Sequence, residues 1–574
     1  MGALFLHHKN TGISESLIRT IYSEKKFSDP HITELGDYKV YLFPKQLIKA
    51  DNYVREGENS LFACGSLFYK GNGYDESLRE LLKDFFGNGI DKNALFGNFV
   101  LLFYSGNDKA LSLLTDGMVA KNLYFDKRNR ILTTDFLAIP ATGDRQYTLN
   151  KPALIENITT GNLISPDTYI NEIERVDRIN INELAEWFQG ISFRNMVTDP
   201  APVPSGFDIA VKEANDAIKG YFKSAKNLTD QYGAHIGLTG GFDSRLMLIH
   251  ARKQLSRLIT NSFWRPASAE YQNARLLAQK TSLEFITFEN DPFISPSEKE
   301  MLHNSLFFFD GQVRSQNIWT EEFNQSDYSR KIASGHYVGF HGCGGEQYRN
   351  AERITRKIAF DDFVRYDWMF KQCDNLFTDK ELRKAIQERI KRKIIRLTGI
   401  TRKRMGLFEV KKIQNEVWNT ANRLTRVNIL NQQQFYFAPF TEFRLSQQAY
   451  NFIPFLGSSF DFQLAMIKES DIDLASVMTN YGFSADAKEP WKQRLLPLVT
   501  GIMPRRLFYF FYNNMRKRQD NHPDIDVNSK EFNSLKTLTG QKIDLDKLSR
   551  NKNLAGGIKA MTTFLQWFYG LQKN

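Results

Sequence analysis

Cysteine is scarce in this 574-residue chain: Cys64, Cys343 and Cys373 are scattered, with no CxxC pair. That removes a disulfide framework and a zinc knuckle and suits a reducing compartment. His336 and His341 lack His or Cys neighbours at ligand spacing, Cys343 apart, which argues against zinc. Apolar runs long enough to span a bilayer are missing; stretches such as ALFGNFVLLFY (Ala94–Tyr104) are too short. The opening MGALFLHHKN has no basic segment ahead of a long apolar core, so no signal peptide is evident. Leu6 stands where N-myristoylation wants Ser or Thr. These absences predict a cytoplasmic protein without a membrane span. There is no internal repeat, no GxxxxGK[ST] loop and no GxGxxG loop, which excludes two familiar phosphate motifs. Acidic residues are outnumbered, 65 against 76 Lys and Arg, for a net charge of +11. That surplus permits anionic ligands without choosing among them.

What is present divides in two. Up to about residue 190, short apolar runs alternate with turn residues: KVYLF (Lys39–Phe43), SLFACGSLFY (Ser60–Tyr69), NFVLLFY (Asn98–Tyr104), ALSLLTD (Ala110–Asp116), NLYFD (Asn122–Asp126) and RILTTDF (Arg130–Phe136). They read as antiparallel strands, with one helix near Ser77–Phe86. TDPAPVPSG (Thr198–Gly206) reads as a linker. Beyond it, helix Asp208–Lys226 leads to strand Ala234–Thr239 and a helix starting near Asp243. Then follow strand Arg257–Trp264, helix Ala269–Thr281 and strand Glu284–Glu289. Strands alternating with helices predict a parallel sheet. From about Phe360 the chain reads as mainly helical. Thr378 and Glu381 suggest a capping box for a basic helix striped by Leu382, Ile386, Ile390 and Ile394. Its cations read as a solvated face or a contact for an anionic partner.

Chemistry concentrates in GLTGGFDSRL (Gly237–Leu246), a glycine loop between a strand and a helix. Gly240 and Gly241 allow close backbone approach, and N–H groups at a helix N-terminus favour an anion. Thr239 and Ser244 add hydroxyls, and Asp243 suits a Mg²⁺ bridging phosphates. The same residues also read as a structural turn with Asp243 as helix N-cap.

TGGFDS (Thr239–Ser244) after an apolar strand resembles the pyrophosphate loop, SGGxDS, of the ATP pyrophosphatase superfamily. HGCGGEQYRN (His341–Asn350) resembles the second phosphate loop of asparagine synthetases, with Gly342 and Gly344 matching and Glu346 on the metal-binding Asp. FAPFTEFRLSQQAYNFIP (Phe437–Pro454), with Glu442 in an Asp place, WKQRLLPLVTGIMPRRL (Trp491–Leu507) and SFW…EYQNARLLA (Ser262–Ala278) are similar to further segments of that family. Upstream, GNFVLLFYSGNDKALSLLTDGMVAKNLYF (Gly97–Phe125) and ILTTDFLAI (Ile131–Ile139) resemble class II glutamine amidotransferase strands. The motifs run in the family's order from about Gly65 to Leu507.

The resemblance implies an α+β domain, residues 1–195, built as an antiparallel Ntn-hydrolase-like sandwich. An α/β parallel-sheet ATP-pyrophosphatase domain with a helical C-terminal part, residues 205–574, follows it. ATP would lie on Leu238, Thr239, Gly240, Gly241, Asp243 and Ser244, with Ser262, His341 and Gly342 beside the nucleoside. Asp243 and Glu346 would hold Mg²⁺. Glu346 and a late lysine, with Lys517 the nearest to the family's place and Lys488 and Lys492 as alternatives, would act in catalysis. The activity implied is a carbon–nitrogen ligase that adenylates a carboxylate, releases pyrophosphate and passes the acyl group to an amine or ammonia. A homodimer is left open, and nucleic acid is disfavoured.

Two departures limit it. An active glutaminase of this class begins, after Met removal, with a Cys nucleophile; this chain begins Met1-Gly2, so the first domain reads as a degenerate, structural one. Cys64, in place of an Asn before Gly65, reads as a core thiol. Cys343 stands where the synthetases hold Glu, which disfavours aspartate as substrate; it also reads as an inert core residue. The alternative is a catalytically silent relative acting as a binding or scaffold subunit. Asp310 and Arg314 read equally as phosphate contacts or as a structural ion pair, and Phe508–Tyr512 as core.

Overall fold

The structure is a computed structural model describing residues 2–143, 146–198, 202–262, 266–287, 298–311, 335–368, 376–487, 490–491, 503–504, 507, 530–540, 542–546 and 552–572. Its first third is two face-packed sheets. One contains β1 (Ala3–His8), β2 (His31–Leu35), β3 (Tyr38–Phe43), β8 (Tyr124–Asp126), β9 (Ile131–Thr133) and β10 (Ile173–Arg175), in the order β10-β8-β9-β1-β3-β2, antiparallel throughout. The other contains β4 (Tyr53–Glu56), β5 (Asn59–Tyr69), β6 (Leu95–Ser105), β7 (Ala110–Thr115) and β11 (Ile191–Asn195), in the order β11-β7-β6-β5-β4.

Period-two alternation explains why these strands read as unbroken apolar runs: both faces of both sheets are covered. Leu4, Leu6, Phe62, Cys64, Val100 and Leu102 meet between the sheets. Phe5, Tyr41 and Phe43 face outward onto α1 (Glu15–Glu24) and later helices. Leu61, Ala63, Leu101 and Phe103 face α2 (Tyr74–Phe86). That helix buries Leu78, Leu81 and Leu82 at helical spacing, with Asp75 and Glu76 at its N-terminal end and Lys83 in its last turn, as the helix dipole favours. Gly65 and Gly97 have φ of +107° and +131°, and a Cβ on either would strike the facing backbone at Asn98 or Ser66, so only glycine lets β5 and β6 cross this closely.

Three differences from the sequence reading stand out. The chain opens with β1, the fourth strand of the six-stranded sheet, where the sequence offered no strand. β11 pairs with β7 in parallel, because it returns to the sheet after the chain has crossed to β8–β10. The halves also share their cores: one apolar cluster runs from Leu61 and Leu78 to Ile218, Ile236, Leu248 and Phe340.

The second part holds a parallel sheet of β12 (Ala234–Gly237), β13 (Leu258–Ser262), β14 (Phe285–Thr287), β15 (Val338–Phe340) and β18 (Phe435–Phe437). A small pair, β16 (Ile358–Ala359) and β17 (Arg404–Met405), stands apart. The order is β14-β13-β12-β15-β18. The chain runs outward from β12 to β14, then returns to β15 on the other side of β12. A crevice opens at such a reversal, beyond the carboxyl ends of the strands. Before β12 come α3 (Ala138–Thr142), α4 (Lys151–Thr160), α5 (Phe207–Ser224) and α6 (Lys226–Tyr232); α7 (Phe242–Gln254) and α8 (Ala269–Thr281) follow β12 and β13.

The basic helix spans Lys380–Thr398. Its N-cap is Asp379, whose carboxylate accepts from Glu381 N at 2.8 Å and Leu382 N at 3.1 Å; this corrects the capping box expected at Thr378. Ile386, Ile390 and Ile394 are buried as expected. Several of its cations dock on acids of the first part. Lys393 meets Glu156 and Asp167, Arg389 meets Asp167 at 2.6 Å, and Arg396 meets Asp177 at 2.8 Å. No helix among the described residues is long and apolar enough to cross a membrane.

Candidate functional site

The two glycine loops leave adjacent strands at the sheet's reversal. After β12, Leu238 is buried and donates its N–H to Asn261 O at 2.7 Å, carrying the sheet one residue further. The turn then closes on itself. Ser244 Oγ accepts from Thr239 N at 3.1 Å and donates to Thr239 O at 3.2 Å, and Gly241 N donates to Thr239 Oγ1 at 3.2 Å. Gly241 is the N-cap of α7, so the N–H groups of its first turn have no intrahelical acceptor. Arg245 fixes the helix start from below. It is fully buried and donates to the carbonyls of Leu474, Val477 and Met478; burial lowers its guanidinium to about 10.

After β15, His341 N donates to Phe437 O at 2.9 Å, and His341 Nδ1 accepts from Cys343 N at 3.0 Å. That second bond places the proton of a neutral His341 on Nε2. Gly342 lies against Ser244: a Cβ there would fall 3.2 Å from Ser244 N. Gly344, at φ +91°, lies against Phe440 and Thr441, and a Cβ on Gly345 would fall 2.6 Å from Asp243 Cγ. Glycine is required at these contacts because the second loop packs backbone-first on the first. Thus Thr239, Gly240, Gly241, Asp243, Ser244, Gly342 and Glu346 sit on two touching loops. Ser262 is buried at the end of β13; Trp264 lies outside the described residues, as do Lys488, Lys492, Lys517, Arg314, Cys373 and Phe508–Tyr512.

The electrostatics differ from the metal site the sequence suggested. Arg349 grips Asp243 through both guanidinium arms, with Nη2 to Oδ2 at 3.1 Å, and Gln463 Nε2 donates to Asp243 Oδ1 at 2.8 Å. Arg349 also donates to Gln463 Oε1 at 2.7 Å. Glu346 Oε1 accepts from Arg423 at 2.7 Å, while Oε2 is buried with no hydrogen-bond partner among the described residues. Lys411 donates to Glu346 O and to Glu352, both at 2.8 Å. Burial works against ionisation of Glu346, but Arg423, Arg349 and Lys411 outweigh it and hold the carboxyl down to about 2. Burial likewise opposes the charge on Arg349, yet Asp243 and Glu346 hold its pKa above the ordinary value. Among the described residues, no group of three or more His, Cys, Asp or Glu converges on one point. A hard cation wants open carboxylate oxygens. Here three of the four oxygens of Asp243 and Glu346 are taken by guanidinium groups. In this arrangement the pair does not fit Mg²⁺, and the local positive charge comes from Arg349, Arg423 and Lys411.

Sequence reading missed Arg349, Gln463, Arg423 and Lys411. Arg349 lies inside the HGCGGEQYRN segment and was the one recoverable signal. The others stand on helices without motifs. Glu442 is also not open to a ligand: it is buried, caps the helix Phe443–Ala449 by accepting from Arg444 N at 2.8 Å, and burial raises its carboxyl to about 7. Cys343 is partly buried against the apolar cluster that includes Met118, Ala120 and Leu424.

At the first domain's edge, a Cβ on Gly2 would run into the Phe27 ring and the Pro44 carbonyl. Gly2 O faces Lys121 Nζ at 3.4 Å and Cys64 Sγ at 3.6 Å. Cys64 is buried between the sheets, in agreement with a core thiol. Asp310 is part of a structural ion pair: it accepts from buried Lys25 at 2.8 Å and from Phe136 N at 2.6 Å, and burial lifts its carboxyl to about 6. A scan against protein-family models finds no match to this chain, and a search of curated proteins finds none either.

Proposed function

We propose that the chain is an ATP-dependent amide-bond synthetase of the asparagine synthetase-related kind, forming AMP and pyrophosphate and working without a glutaminase of its own. The observation that carries this reading is the pair of touching glycine loops at the carboxyl ends of β12 and β15, on either side of the sheet's reversal point. Open N–H groups at the start of α7 suit a phosphate chain. The two face-packed sheets, flanked by helices, agree with an Ntn-hydrolase-like first domain, and the parallel sheet with an ATP-pyrophosphatase-like second one. The crowding at Gly2 by Phe27 and Pro44 supports loss of the glutamine route, since a nucleophile's side chain has no room there.

In this reading, the polyphosphate rests on Thr239–Ser244. A substrate carboxylate oxygen attacks the α-phosphorus and pyrophosphate leaves with the electrons of the broken P–O bond. The acyl-adenylate is then attacked at its carbonyl carbon by an amine or ammonia nitrogen. The C–O bond to AMP breaks, AMP departs, and the nitrogen loses a proton. Arg349 and Arg423, which pair with Asp243 and Glu346, would offset charge on the leaving pyrophosphate at the cost of those pairs. Mg²⁺ would arrive with the nucleotide rather than occupy a preformed protein site.

The test is pyrophosphate exchange into ATP across a panel of carboxylic acids, with direct ATP binding alongside. ATP binding that is at least tenfold weaker in Ser244→Ala, with exchange for at least one acid, supports the reading. Absence of ATP binding by the folded wild type sinks it. A second reading, a catalytically silent binding subunit, is favoured by the arginine-occupied carboxylates. It predicts ATP binding without exchange for any acid.

A further inference from the structure

A second cavity lies where the sandwich meets the later helices; Ala421 and Thr425 on its wall flank Arg423, which pairs with Glu346 of the second loop. It has about 50 Å³ of space for the centres of water-sized molecules, room for several waters at about 10–15 Å³ each. Tyr124, Phe136, Leu163 and Tyr169 give it an aromatic and apolar wall, and Ala421 and Thr425 close it from the far side. Arg175, the last residue of β10 and the register partner of Tyr124, also lines it.

Arg175 is only 7% exposed, yet among the described residues no carboxylate pairs with it. Its Nη2 donates to Thr420 O at 3.1 Å; its other N–H groups make no hydrogen bond among the described residues and are not enclosed orphans. Arg175 lines both this cavity and a smaller one beside Asp177 and Glu416. One acid, Asp167, is on the cavity wall, but its charge is balanced by Arg389 and Lys393; Asp177 pairs with Arg396, and Glu416 with Arg178 at 2.5 Å. The polar side chains of Thr168 and Asn162 are turned to backbone carbonyls, Thr168 to Ile173 O at 2.7 Å and Asn162 to Thr160 O at 3.0 Å. A buried guanidinium without a counter-ion is costly, and its planar fork matches a carboxylate.

We propose that this cavity binds a small carboxylate with an apolar or aromatic body, its oxygens on Arg175 and its body against Tyr124, Phe136 and Tyr169. The inference does not rest on nucleotide binding at the loops. The test titrates the full chain by calorimetry with benzoate, its neutral isostere benzamide, isobutyrate and inorganic phosphate. Benzoate is expected to bind at least tenfold more tightly than benzamide, with no phosphate binding. Arg175→Met is expected to lose at least tenfold in benzoate affinity. Ala421→Phe, which fills the cavity and leaves the guanidinium in place, is expected to lose it too, and decides the matter if Arg175→Met does not fold. The proposal is overturned if neither carboxylate binds the folded wild type, if benzamide or phosphate binds as well as benzoate, or if either folded variant binds benzoate as the wild type does.

Discussion

Residue positions carry the chemistry here, and two of them invert what their neighbours suggest. Asp243 stands in the first turn of α7, beside the glycine loop, and is held by Arg349 and Gln463. If Arg349 offsets phosphate charge, Arg349→Met should weaken ATP binding at least tenfold despite freeing Asp243; unchanged affinity would leave the arginine a structural partner only. Glu442 gives a pH prediction. Its folded carboxyl is raised to about 7 by burial, above the ordinary 4.5. Its contribution to stability is therefore full below about pH 4.5 and is lost as pH rises through about 7. Glu442→Gln keeps an acceptor for Arg444 N and removes the titration, so its melting temperature should vary less than the wild type's between pH 5 and 8. Gly2→Cys restores the class's nucleophile on paper. We expect no release of glutamate from glutamine and a destabilisation of about 1–3 kcal/mol from overpacking against Phe27 and Pro44, read by thermal unfolding.

Elements were legible in proportion to how local their cause is. The runs at β5, β6, β7 and β9 were readable because short apolar stretches bounded by turn residues are written into consecutive positions. β1 was not, because its short apolar run is marked by turn residues on one side only, at Lys9–Gly12. Helix α7 was placed within a residue or so by Gly240 and Gly241, but its anchoring was hidden. Arg245, inside that helix, is bonded to three carbonyls more than two hundred residues away in sequence. Arg245→Met would strip the buried carbonyls of Val477 and Met478 of the guanidinium that bonds them, Leu474 O keeping a bond from Val477 N, and should cost about 2–3 kcal/mol; chemical denaturation measures it, and a change under 1 kcal/mol would contradict the anchoring role. The basic helix Lys380–Thr398 shows the same limit. Its cations read as solvated or as an anion contact, whereas Lys393, Arg389 and Arg396 meet acids that only the fold brings within reach.

The whole molecule is joined through its cores. One apolar cluster links the five-stranded sheet to the parallel sheet, and another links the six-stranded sheet to helices at the far end of the chain, including Phe564 and Phe568. Calorimetry should therefore show one cooperative unfolding transition for both halves; two well-separated transitions would mean that these shared clusters do not couple them. By itself, the sequence determined the alternation of strands and helices, the change from antiparallel to parallel pattern, and the two glycine loops. Those depend on spacing between near neighbours and on what glycine alone permits. Only the tertiary structure decided that the loops touch, that arginines occupy their carboxylates, that the place beside Gly2 is filled, and that Arg175 lines a cavity without a counter-ion among the described residues. Each of these depends on distances between residues far apart along the chain, which packing sets and local pattern does not encode.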